Sequence, residues 1–382
     1  MSTENKTQRV AFIDIARFYA MVLVFYGHFI EEFMLLKSSV GSTQYKFIYS
    51  FHMILFVVLA GYVARENESE WGVGRFLRHR FVTRLVPFLF FTVLMMIPPI
   101  FFQGKFFGLV LPSTQGYISG LKSTLFGMPS FCIPSWFLLL IIGLELVHFI
   151  AFRFLKDSTI KIVIAAGLFY VAGYYLNLKL DIFNPLKGRV IGYNYFFIHE
   201  AITLYSFYLI GLTLKRTDLF NRLSKNMMAA GALICVLVVL LTYSLNKGPF
   251  NFHVYNYVVI LFASHGHILL FPLTAAAGCG AIAMLARISP QQNLMVWMGQ
   301  NTLILMCLNG IFYHYINPGL AKWVLETFSD SALPITISAV VTTLISLALC
   351  CPFIYLFNRY VPYLVGKPGK QKMTGMKTLV LN

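Results

Sequence analysis

The chain predicts an all-α fold: a polytopic membrane helix bundle of about ten transmembrane helices, with both termini in the cytoplasm. Three observations carry that expectation. Of its 382 residues 58% are hydrophobic and only 12% charged, and mean hydropathy is +0.73, whereas a soluble domain carries about 25% charged residues. The apolar residues gather into runs close to the ~20 residues that cross a hydrocarbon core. The loops between those runs alternate in basic content, with 20 Lys and Arg on one side, 9 on the other and Arg17 inside a run. The positive-inside bias assigns the richer side to the cytoplasm. It also accounts for the net charge of +16 without a nucleic-acid partner.

In order, the predicted spans cover roughly 10–30, 45–64, 85–103, 134–152, 160–177, 195–214, 226–245, 265–286, 298–316 and 333–357. The first follows a short polar segment and lacks a small-residue cleavage site, so it acts as its own insertion signal. A loop over 104–133 carries Gly104, Pro112, Gly116, Gly120 and Pro129 and is long enough to cover a site; a second, 178–194, is mixed polar. Residues 1–364 read as one membrane domain, and 365–382 as a basic tail suited to anionic lipid. No internal repeat is evident, which disfavours inverted-repeat transporters. The six cysteines include no CxxC and no Cys/His metal spacing, so they read as small buried hydrophobes and no metal is expected.

The first span holds the most informative residues. Arg17 and His28 are eleven positions apart, which returns the second to within roughly 20° of the first, about 16 Å further along the axis. Asp14, at i−3 from Arg17, is placed to pair with the guanidinium. Glu31 and Glu32 follow His28 at i+3 and i+4, and either is placed to hydrogen-bond the ring and set its tautomer. A neutral histidine held this way takes a proton from a hydroxyl. Ionisable groups within spans are expensive and mark functional positions.

His52, at the start of the second span, falls at a depth similar to His28; one polar pocket and a packed, hydrogen-bonded histidine are both open readings. Arg75, Arg78, His79, Arg80 and Arg84 precede Pro87. Arginines presented at a helix N-terminus hold phosphates, and a lipid-headgroup anchor is the equal alternative. Glu145 stands deep in the apolar run from Trp136 to Phe152 and needs a partner inside the bundle. Further polar groups within spans are His199, Glu200, His265, His267, Asn301, Asn309 and His314.

These residues resemble the acyltransferase-3 family of integral-membrane O-acyltransferases, especially its fucose 4-O-acetylase-like branch. Phe12-Ile13-Asp14-Ile15-Ala16-Arg17 followed by ten residues and His28 is similar to the family's basic-x10-His signature. Tyr49 to Phe56 with Ala60-Gly61-Tyr62, Arg80 with Arg84-Leu85-Val86-Pro87, Ser135-Trp136-Phe137-Leu138, and Gly299-Gln300-Asn301-Thr302-Leu303 resemble four further family segments, in order. Three departures stand out. Ile54 replaces a usual proline, three residues rather than two separate Arg80 from Arg84, and Asn309 stands where many members have histidine.

The resemblance implies a multi-pass protein of the bacterial cytoplasmic (inner) membrane. It implies that a cytoplasmic acyl-CoA, acetyl-CoA in the simplest case, serves as co-substrate with no bound cofactor, and that a carbohydrate acceptor lies on the far face. Arg17 and His28 are then needed for activity, with His28 acting as base or as transient acyl carrier. The rival from another class is a transporter with an intramembrane His/Glu/Arg relay. A catalytically silent partner subunit is a third possibility.

Overall fold

A computed structural model of the chain describes residues 3–106, 109–179, 195–251 and 256–367. Among these residues the fold is all-α, with a single isolated bridge between Val259 and Ser264. Eight helices are long and apolar enough to cross a membrane, and a bent pair makes a ninth. The helices are α1 (Thr3–Leu35), α2 (Ser39–Tyr49), α3 (His52–Tyr62), α4 (Val73–Arg80), α5 (Val86–Met95), α6 (Thr114–Leu125), α7 (Trp136–Ala151), α8 (Thr159–Lys179) and α9 (Ile198–Thr217). There follow α10 (Leu219–Arg222), α11 (Lys225–Thr242), α12 (Leu270–Ile288), α13 (Asn293–Gly299), α14 (Thr302–Ile311), α15 (Asn317–Phe328) and α16 (Ala332–Tyr360). The helix α9 fills the predicted sixth run over 20 residues; Glu200, Lys215 and Arg216 near its ends dilute its apolar character.

Helix packing rests on close backbone approach. A side chain at Gly61 of α3 would meet the Tyr208 carbonyl of α9, and one at Gly211 of α9 would meet the Val58 carbonyl of α3. Small residues at such crossings let helices gain dispersion contacts where lipid removes the hydrophobic drive. Gly299 plays the same part where α13 rests on the backbone of Asp14 in α1.

Three predicted spans are interrupted, the ninth of them twice, and the interruptions position the polar residues. The second breaks at Ser50 and Phe51, so His52 opens α3. The ninth bends by 76° between α13 and α14, at Gln300 and Asn301. The third contains a π turn over Phe81–Leu85, joining α4 to α5. Pro87 lacks an N–H and disturbs the α-helical ladder just before it, which the wider turn absorbs. A second π turn, Phe312–Ile316, joins α14 to α15.

The third span corrects the expected presentation of the basic cluster. The helical stretch begins at Val73 rather than near Pro87, so Arg80 and Arg84 sit inside a continuous helix and not at an N-terminus. The free N–H groups and positive dipole end of P-loop-like sites are therefore not theirs to use. The 104–133 segment contains α6, so it is partly ordered rather than a plain loop. The 178–194 loop lies outside the described residues from 180 on, and the tail does so from 368. The first tail residues are part of the bundle: Val365 is buried.

Candidate active site

One flank of α1 carries Asp14, Arg17 and His28, and the bent pair α13–α14 lies across it. At the Arg17 end, Asp14 is buried and accepts from Arg17 Nη1 at 3.2 Å and from Gln300 Nε2 at 3.0 Å. The Arg17 side chain remains 29% exposed. Arg84 projects from the first π turn close enough for its charge to act on Arg17. Glu145 finds the partner its depth requires: Arg80 Nε at 3.0 Å and Arg84 Nη2 at 2.9 Å. Arg80 also holds Glu68 and His79. The four predicted donor-binding arginines thus divide. Arg80 and Arg84 turn inward onto carboxylates, while Arg75 and Arg78 stay exposed, Arg75 lying over the Trp71 ring at 4.3 Å. Arg84 keeps a 30% exposed side chain, so one of the inward pair still reaches open space.

Asn301 fills the bend between α13 and α14. Its Nδ2 donates to the Trp297 carbonyl at 2.7 Å, and its Oδ1 accepts from Asn358 at 2.8 Å and from Lys367 Nζ at 2.6 Å.

At the other end of α1, half-buried His28 bonds through Nδ1 to Asn309 Oδ1 of α14. An amide oxygen only accepts, so Nδ1 carries the proton and Nε2 holds the lone pair. This corrects the expected orienter. Neither Glu31 nor Glu32 bonds the ring, because each is taken elsewhere. Glu31 accepts from Tyr49 at 2.6 Å and from Tyr313 at 3.0 Å, and Glu32 pairs with Lys105 at 2.6 Å. The Tyr313 ring also meets the His28 ring edge-on at 5.0 Å. His52 is buried with Nδ1 on the Ile48 carbonyl at 3.0 Å, and its ring meets Tyr49 at 4.6 Å. Both His52 and His314 lie within electrostatic range of His28.

A strap closes this end. Lys105 N donates to the His314 carbonyl at 2.7 Å, His314 Nδ1 donates to the Lys105 carbonyl at 2.7 Å, and Phe106 stacks on the His314 ring at 4.3 Å. The second π turn therefore holds the 104–106 segment, and Lys105 ties it to α1.

Glu200 and His199 belong elsewhere. Glu200 is fully buried, with His265 Nε2 at 2.7 Å and Asn177 Nδ2 at 3.2 Å, and His199 precedes it, half-buried, in the first turn of α9. Asn309, Tyr313, Lys105 and Lys367 are the participants that sequence reasoning left without a role. For Asn309 a signal existed, as a carboxamide on the span that crosses the flank of α1; the others carried none.

The chemistry available is a proton acceptor at one end of α1 and a set of guanidinium groups at the other, joined by one continuous helix. No curated protein and no solved structure matches the chain. The model of the acyltransferase-3 family, described as an acyltransferase domain, matches residues 10–354. That span takes in both ends of the site, and the chain belongs to the acyltransferase-3 family, membrane enzymes that transfer acyl groups other than aminoacyl groups.

Proposed function

We propose that the enzyme moves an acetyl group from cytoplasmic acetyl-CoA to a hydroxyl of an extracytoplasmic or lipid-linked sugar, in a bacterial inner membrane. The observation that carries this reading is the His28–Asn309 hydrogen bond on the same flank as Arg17. It leaves a neutral imidazole with a free Nε2 about 16 Å along α1 from the guanidinium.

In this reading the donor phosphates meet Arg17, Arg84 and the exposed Arg75 and Arg78, and the pantetheine arm runs beside α1. Nε2 of His28 takes the hydroxyl proton as the sugar oxygen attacks the thioester carbonyl. The C–O bond forms, the C–S bond breaks, and the imidazolium returns its proton to the leaving thiolate. Glu31, with the Tyr49 and Tyr313 hydroxyls, provides polar groups for the acceptor, and His52 bounds the same end. The likeness to fucose 4-O-acetylase-like proteins supports a sugar acceptor, and the excess of Lys and Arg on one side supports the orientation.

Incubation of membranes with radiolabelled acetyl-CoA tests the reading. Label passes to glycan with the wild type, and His28→Ala lowers transfer by about 10²-fold or more; wild-type transfer by His28→Ala sinks the assignment. Label retained on the protein when acceptor is withheld makes His28 an acyl carrier rather than a base. Flux of an intact solute without transfer favours a transporter.

A further inference from the structure

The chain folds back on itself after α16. Val365 is buried in the bundle, and Gly366, at φ +79°, packs against the Thr83 carbonyl and Pro87 of the first π turn. The same Thr83 carbonyl accepts from Arg84 Nη1 at 3.3 Å. This turn carries Lys367 inward, where Nζ bonds Asn301 Oδ1 at 2.6 Å. Asn301 adjoins Gln300, which holds Asp14 and, through it, Arg17.

The ammonium has three N–H donors, yet its acceptor among the described residues is one neutral amide oxygen, and no carboxylate pairs with it. The three arginines nearest this turn each have a carboxylate: Asp14 for Arg17, Glu68 and Glu145 for Arg80, Glu145 for Arg84. Burial pushes the Lys367 ammonium down to about 8, the direction of a cation lacking a counter-charge. A second donor nearby is also unused: Arg84 Nε is buried without a hydrogen-bond partner. Charges withdrawn from water are paired in working structures, and an anion from beyond the described residues would supply the pairing here.

We infer that Lys367, held by Asn301, is the anchoring cation of a phosphate site at the Arg17 end of the bundle, between the first π turn and the α13–α14 bend. A phosphate there has two sources, the acyl-CoA donor and an anionic lipid headgroup. The donor assignment rests on the acetyl-CoA reading above; the site itself does not. Lys367 lies beyond the region matched by the family model, which ends at residue 354, while Asn301 and the first π turn that receive it lie within. Where the donor fills the site, Lys367 positions it and takes no part in bond making.

Equilibrium binding of radiolabelled CoA to the full-length protein in neutral phosphatidylcholine nanodiscs tests the site without turnover. Lys367→Ala weakens binding roughly tenfold, and Lys367→Arg restores most of it. In turnover, the KM for acetyl-CoA rises by a similar factor with kcat nearly unchanged. S-acetyl-pantetheine, which lacks the nucleotide phosphates, is used equally by wild type and variant. That pattern assigns the donor phosphate. If CoA binding is unchanged but the gain in thermal stability on adding phosphatidylglycerol is lost in Lys367→Ala, the site stands and a lipid headgroup fills it. If neither responds in a variant that folds normally, the inference is overturned. Wild type that binds CoA through Lys367 yet transfers no acetyl group removes the proposed function and leaves the site.

Discussion

The two ends of α1 handle burial of polar groups in opposite ways. Around His28 the carboxylates do not share partners: the ring meets a neutral carboxamide, Asn309, Glu31 is held by two phenols, and the Glu32–Lys105 ion pair stands alone. Around Arg17 they are ion pairs sharing members, with Arg80 and Arg84 gripping Glu145 from two sides. The first arrangement leaves one basic atom free and locates it; the second ties three helical segments together. The comparison separates a place where substitution removes chemistry from one where it removes the fold.

The largest expected effect lies in the ionic end. Glu145→Ala strips two inward-turned arginines of their shared carboxylate and should destabilise the protein by about 3–5 kcal/mol. Thermal unfolding in detergent measures it; a variant with wild-type stability and lost activity would place Glu145 with the chemistry and erase the contrast. Next comes the His28 end. Asn309→Leu keeps side-chain bulk but strips the His28 Nδ1 proton of its acceptor, so activity falls roughly 10–100-fold while stability falls by about 1–3 kcal/mol, the cost of a stranded donor. The pH profile should change shape as well, since the tautomer is no longer held. Third, Arg17→Lys retains charge and loses the planar fork, which should raise the KM for the donor by roughly tenfold while kcat changes less.

The smallest effect sharpens the comparison from outside the bundle. Arg216 grips Glu66 through two bonds, at 3.0 and 2.6 Å, and holds its carboxyl below the usual carboxylate range. The resulting stability is fully present above the ordinary glutamate pKa and lost as pH falls toward the lowered one. With Glu66 39% exposed, the contribution is under about 1 kcal/mol. Arg216→Gln should flatten the acid limb of the stability curve by that amount, with transfer activity untouched at neutral pH.

Much of this was legible from residue order alone. Hydropathy marks the helices because hydrocarbon admits no unpaired backbone, and helical period alone puts Asp14, Arg17 and His28 on one flank. The depth of Glu145 announces a partner. The identity of partners was not legible. Glu31 and Glu32 satisfy the local spacing for His28, but each is drawn off by residues that only the tertiary fold brings near: Tyr313 across 282 positions and Lys105 across 73. Nor does local pattern distinguish Lys367 from the other lysines of a basic tail. The helical continuation through Arg80 and Arg84 was hidden by Pro87, which normally signals a helix start and here follows a π turn instead.

The second π turn has a consequence for how this sequence tolerates shortening. A π turn holds one residue more than the α-helix around it. Deleting one residue anywhere else in α14 or α15 rotates everything beyond it by about 100° and ruins the packing. A single deletion within Phe312–Ile316 does the reverse: it turns the bulge into regular helix and keeps α15 in register with its neighbours. Tyr313 and His314, both buried on this turn, would lose their positions against Glu31 and the 104–106 strap. Such a shortened chain should insert and fold, and fail only when asked to turn over.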